Sequence, residues 1–164
     1  MQPPTQSADR KCIFLVEDNY KDLLLMRYVL EETGMVGCIF AARTGKEAAG
    51  YLRNKARQQE FGTPGVVILD INLPEINGLK LLQLIRSDPT LKHLPVVIFT
   101  DSQDANEHNR AYVLGATALK VKPTEFSEFT RTFRELLEYW CRELNLRPER
   151  RADTPEIAPF KPAS

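Results

Sequence analysis

Several things are scarce in this sequence, and each scarcity excludes something. Charge of one sign is not in excess: Lys plus Arg and Asp plus Glu each number 22 in 164 residues. There is therefore no basic field of the kind that binds a phosphate backbone, and DNA is not an expected partner. No apolar run approaches the roughly 18 residues of a membrane span, and the opening "MQPPTQSADRK" lacks the apolar core of a secretion signal. The expectation is a cytoplasmic protein with no membrane segment. Cysteine is rare and odd in number; Cys12, Cys38 and Cys141 are far apart and lie in apolar stretches. Reduced core residues fit that pattern better than a disulfide framework or a thiolate metal site. The two histidines, His93 and His108, have no companion ligands beside them, so neither is given a role.

What is present is ordinary globular material, 43% hydrophobic and 27% charged, enough for one core. Short β-rich runs alternate with longer segments of helical period, the pattern of a parallel sheet flanked by helices. Five rounds can be read. "CIFLV" (12–16) is a strand, and Asn19 caps a helix from about Tyr20 to Glu32 that stops before Gly34. "VGCIFA" (36–41) is a weaker second strand. Thr44 and Glu47 have capping-box spacing and open a helix that frays toward the breaker cluster "GTPG" at 62–65. "VVILD" (66–70) is the third strand, followed after "NLPEING" by a helix of about Leu79 to Arg86 that "SDPT" ends. "VVIFT" (96–100), a polar helix through "EHNRAYVL", and "ALKV" (118–121) complete the sheet. A last helix from about Glu125 sets Phe126, Phe129, Phe133, Leu136, Leu137, Trp140 and Leu144 on one stripe.

These elements predict a doubly wound, flavodoxin-like α/β fold with five parallel strands in the order 2-1-3-4-5 and five helices. The folded domain is expected over residues 11–146. Residues 1–10 are expected to be flexible. The proline-rich segment 147–164, with little to bury, is expected to be disordered, and nothing after the last helix has the size of an output domain.

Four of the five strands end near a residue able to do chemistry: Asp18, Asp70, Thr100 and Lys122. Strand ends of an open parallel sheet line one edge, and ligands bind there where the strand order reverses. Asp18 and Asp70 would face each other across that crevice, with Glu17 beside them. Three carboxylates in a partly dry site must share a proton, shift their pKa values or hold a cation. All-oxygen ligands in small number suit Mg²⁺, which keeps much of its water and adds substrate phosphate oxygens. Lys122 and the Thr100 hydroxyl would add a positive charge and a donor beside Asp70, a setting for a phosphoryl group.

At this point the residues resemble the receiver domain of bacterial response regulators, which take a phosphoryl group from a histidine kinase onto an aspartate. The likeness covers about residues 11–144. It implies that Asp70 in "VVILDINLPEING" is the phosphoacceptor. It further implies that Asp18 in "LVEDN" ligates the metal directly, Glu17 mainly through metal-bound water, and Asn72 through its backbone carbonyl. Thr100 in "VVIFTDS" would hydrogen-bond the phosphoryl group and Lys122 in "LKVKP" would pair with it, with a cis peptide bond before Pro123.

Two positions depart from the family pattern. The switch position, usually aromatic, is Leu119, and the usually small residue after the threonine is Asp101. The lengthened segments "RNKARQQEFGTPG" and "SDPTLKHLP" and the aromatic end of the last helix resemble stand-alone regulators that partner bacterial phytochrome kinases. That resemblance implies a bacteriophytochrome as the kinase and a homodimer through the face of the fourth helix, fifth strand and fifth helix. The competing readings are a pseudo-receiver that binds without phosphorylation and an aspartyl phosphohydrolase. The latter is disfavoured by Asn72, where such enzymes place a second Asp. A nucleotide or flavin binder is disfavoured because "EDNYKD" repels anions where a phosphate cradle would need glycines or hydroxyls.

Overall fold

Strands with continuous apolar runs are stable only when both faces are covered, and the apolar runs of β1, β3 and β4 meet that condition. The computed structural model describes residues 11–147; the expectations for residues 1–10 and for the tail beyond Arg147 lie outside the described residues. Five parallel strands, β1 (Lys11–Val16), β2 (Ile39–Ala42), β3 (Thr63–Leu69), β4 (Val96–Thr100) and β5 (Ala118–Val121), are ordered β2-β1-β3-β4-β5. Alternate side chains serve opposite faces. Ile13, Leu15, Val66, Ile68, Val97 and Phe99 enter one core layer; Phe14, Val16, Val67, Leu69, Val96 and Ile98 enter the other.

The first layer is closed by α1 (Tyr20–Thr33) and α6 (Phe126–Glu143), through Met26, Leu30, Phe129, Phe133 and Leu137. The second is closed by α2 (Gly45–Arg53), α4 (Gly78–Ser87) and α5 (Ala105–Val113), through Ala48, Tyr51, Leu82, Ile85 and Ala111. The α6 stripe is core as its spacing predicts, except at its first member. Phe126 is exposed and lies against the exposed ring of Tyr28 on α1, with centroids 5.9 Å apart.

The structure departs from the sequence reading in three places. Among the described residues there are six α-helices, because the segment after β2 divides at Asn54 into α2 and α3 (Lys55–Phe61). Asn54 serves both: its N–H closes α2 on the Tyr51 carbonyl, while its side chain accepts from the Arg57 N–H and opens α3. A cap residue inside a periodic pattern divides a helix without changing the pattern. Residues Val36–Cys38 form a single 3₁₀ turn and β2 starts only at Ile39. Conversely, β3 runs through the breaker cluster from Thr63. Its register against β1 slips between Cys12 and Ile13, so that Cys12 faces Pro64 and Ile13 faces Val66. Gly65 is the extra residue of this irregularity, which is where a strand tolerates Pro and Gly. A Cβ at Gly65 would lie 2.7 Å from Leu144 at the end of α6.

Candidate functional site

The last rungs of the ladder bring the strand ends to one edge. The Glu17 N–H bonds to the Ala42 carbonyl at 3.0 Å, the Asp70 N–H to Val16 at 3.1 Å and the Lys122 N–H to Thr100 at 2.7 Å. Beyond β3 the chain turns tightly. Glu75 takes a left-handed φ of 66°, and the Gly78 N–H returns to the Ile71 carbonyl at 2.8 Å. Any Cβ at Gly78 would lie 2.1 Å from the Asp70 carbonyl oxygen. Only glycine lets the start of α4 rest against the residue that carries the central carboxylate.

Glu17, Asp18 and Asp70 each place a carboxylate oxygen within 4.8 Å of the others. Lys122, 5% exposed, reaches into this group. Its Nζ donates to Glu17 Oε2 at 2.6 Å, Asp22 Oδ2 at 2.9 Å and Asp70 Oδ2 at 3.0 Å. Burial raises the Glu17 pKa to about 8, with the charge of Asp70 adding to the shift and Lys122 opposing it. Burial would lower the pKa of Lys122, but Glu17 and Asp70 outweigh it and hold the ammonium above its usual value. The lysine therefore stays charged, and the cluster's most loosely held proton is on a carboxyl.

Of the residues singled out by sequence, Glu17 and Asp70 meet Lys122 directly, and Asp18 brings a carboxylate oxygen within 4.8 Å of theirs. The Asn72 backbone N–H approaches Asp70 Oδ1 at 3.4 Å. Thr100 is fully buried and its hydroxyl oxygen accepts from the Ser102 N–H at 3.2 Å. Leu119 is half-buried and packs into the second core layer. The implied cis bond before Pro123 is corrected: every peptide bond among the described residues is trans. The trans form is the lower in energy for X–Pro by about 0.5–1 kcal/mol, and Lys122 reaches its three partners from it.

Sequence reasoning missed Asp22. The signal was available: Asn19 caps α1 by accepting from the Asp22 N–H at 3.0 Å, and that fixes Asp22 in the first turn at the strand end. It also gave His108 no place, whereas its Nε2 lies 2.7 Å from the Ser102 carbonyl and Ser102 Oγ donates to Glu107. These contacts hold the loop after β4.

A parallel sheet in this order with an acidic cluster and a buried lysine at its carboxyl edge defines a doubly wound α/β module with an oxygen-rich site at its strand ends. Residues 13–134 match the response regulator receiver domain; the chain belongs to that family. A probable methanogenesis regulatory protein, FilR2 of Methanothrix harundinacea, is 35% identical over 138 residues, covering 82% of this chain and 86% of that protein. Response regulator Rcp1 of Synechocystis is 26% identical over 86% of this chain and 96% of its own. Among solved structures, the phosphorylated cyanobacterial phytochrome response regulator RcpA is 32% identical, with TM-score 0.69 over 80% of this chain and 94% of that one. The bacteriophytochrome response regulator AtBRR is 38% identical, with TM-score 0.60 over 78% and 92%. A manganese-bound form of Rcp1 superimposes with TM-score 0.69, and an oxygen-rich cluster of three carboxylates here has the same chemical character as a divalent-cation site.

Proposed function

We propose that this protein is a cytoplasmic response regulator that accepts a phosphoryl group on Asp70 from a sensor histidine kinase and signals through protein contacts. The observation that carries the reading is the bond from Lys122 Nζ to Asp70 Oδ2 inside a cluster shared with Glu17 and Asp18. Asp18, Asp70 and the Asn72 carbonyl would hold Mg²⁺, with Glu17 acting mainly through its water. The ion, when bound, would neutralise charge on the transferring phosphoryl oxygens.

An Asp70 carboxylate oxygen attacks phosphorus and forms a P–O bond as the P–N bond of a phosphohistidine breaks. The electron pair returns to the imidazole, whose other nitrogen carries the proton that keeps it neutral. Lys122 exchanges its Asp70 contact for a phosphoryl oxygen, and the Thr100 hydroxyl turns to the same group. The product is an acyl phosphate. Phosphorylation then biases the face built by α5, β5 and α6, where Tyr112, Val121 and Tyr139 are exposed, toward a partner or a second copy.

A bacteriophytochrome is the proposed kinase, supported by the likeness to phytochrome response regulators. The test is phosphotransfer profiling with the chain and its Asp70→Asn and Asp18→Asn variants. Uptake should vanish in both while the fold persists, and metal dependence should be lost with Asp18. Equal labelling of Asp70→Asn, or sustained turnover of small phosphate esters, would overturn the reading. Sedimentation with and without a phosphate mimic tests the dimer, which a monomer at tens of micromolar in both states would exclude.

A further inference from the structure

The mouth of the site carries a contact that the acceptor chemistry does not require. Asp101 follows Thr100 directly, and its Oδ1 accepts from Asn72 Nδ2 at 3.3 Å. Asn72 lies two residues beyond Asp70, whose Oδ1 its own N–H approaches. Both side chains are exposed. An exposed bridge therefore joins the residue after β4 to the loop after β3, next to the carboxylate at the end of β3. The span is tied down on the Asp101 side: Thr100 is buried, Ser102 donates its N–H to Thr100 and its hydroxyl to Glu107, and the Ser102 carbonyl meets His108.

The bridge also brings charge. Asp101, bonded to Asn72, is a further acid beside a cluster that already holds Glu17, Asp18 and Asp70, partly balanced by the buried ammonium of Lys122. Every phosphoryl donor is an anion. One entering alone meets both the closed amide–carboxylate bridge and the field of Asp101. A donor delivered on a protein surface can offer Asp101 or Asn72 a replacement partner and part the two.

We propose that Asp101 and Asn72 form a polar latch over Asp70, a positioning and specificity device that disfavours small free phosphodonors and reserves the acceptor for a donor presented by a partner protein. This rests on Asp70 being the phosphoacceptor. The latch acts on access and not on the transfer itself, so its removal changes which donors are used.

The test compares initial rates of acetyl phosphate uptake for the wild-type chain, Asp101→Asn and Asp101→Ala, in Mg²⁺, at low and high ionic strength, with beryllofluoride affinity as a second readout. In this uptake the phosphorus–oxygen bond of acetyl phosphate breaks, acetate leaves with the electron pair, and Asp70 takes the phosphoryl group. Asp101→Asn keeps an acceptor for Asn72 but loses the charge, and its rate should rise on the order of fivefold at low salt. That gain should shrink as salt screens the wild-type carboxylate. Asp101→Ala opens the bridge as well and should be faster still, with tighter beryllofluoride binding. Rates and affinities within twofold of wild type, or slower uptake in Asp101→Ala, would overturn the latch while leaving the acceptor in place. If uptake persists equally in Asp70→Asn, the acceptor reading fails and the latch fails with it; if neither Asp101 variant is labelled by acetyl phosphate, the latch alone fails.

Discussion

Lys122 Nζ lies 2.6 Å from Glu17 Oε2, although the two residues are 105 positions apart in sequence and both side chains are buried. The ammonium is the internal counter-charge of the site. Removing one partner of a buried pair typically costs about 3–5 kcal/mol, because the remaining charge is left without compensation. Lys122→Ala should therefore melt well below wild type at alkaline pH in chelator. The deficit should narrow near pH 5, where the freed carboxyls can protonate, and again on adding Mg²⁺. A deficit independent of both pH and metal would reduce Lys122 to a packing element.

Burial, and then Asp70, raise the Glu17 pKa from an ordinary 4.5 to about 8. Between those values the folded chain holds a proton that the unfolded chain has released. On Glu17's account stability falls as pH rises through that window and is constant above it. A cation held beside Glu17 would favour its ionised form, so the proposed Mg²⁺ binding should tighten up to about pH 8 and then level. Mg²⁺ calorimetry near neutral pH, in buffers of different ionisation enthalpy, should report proton release approaching one per ion, and almost none above about pH 9. Equal, proton-free binding at both would remove Glu17 as the cation's competitor.

Gly78→Ala tests the turn beneath Asp70. Within a helix this change ordinarily stabilises by about 0.5–1 kcal/mol. Here the new Cβ would meet the Asp70 carbonyl at 2.1 Å and Ile71 Cα at 2.8 Å, so the sign should invert to a loss of about 1–3 kcal/mol. Phosphoryl uptake should slow with it, because the backbone of Asp70 must yield. A variant as stable and as active as wild type would show that the turn adjusts freely.

Asp22→Asn separates the anchor of the lysine from the proposed phosphoryl transfer. Its carboxylate holds Lys122 at 2.9 Å but is not among the three that cluster. Denaturant melts should show a loss of about 1 kcal/mol, with phosphoryl uptake retained. Abolished uptake in a folded variant would move Asp22 into the reacting group.

Much of this was readable before any coordinate. The strand order followed from the alternation of apolar runs with helical segments, and the site from four chemical residues at strand ends. What escaped is local. Asn54 sits within a continuous helical pattern, and only its side-chain bond to Arg57 shows that it ends one helix and starts another. Pro64 and Gly65 read as breakers, yet the register slip beside Cys12 accommodates them inside β3. Asp22 was hidden because an acid in a helix's first turn is explained by the helix alone, and its second partner arrives from the far edge of the chain. The trans bond before Pro123 overturned an expectation that came from resemblance and not from any residue's own chemistry.

The contact of Leu144 on Gly65 gives α6 a fixed heel. That end of the helix is keyed into a notch in β3, at the edge opposite the carboxylates, while its other end begins with the exposed Phe126. Any side chain larger than hydrogen at position 65 would therefore have to lift this end of α6 off the sheet.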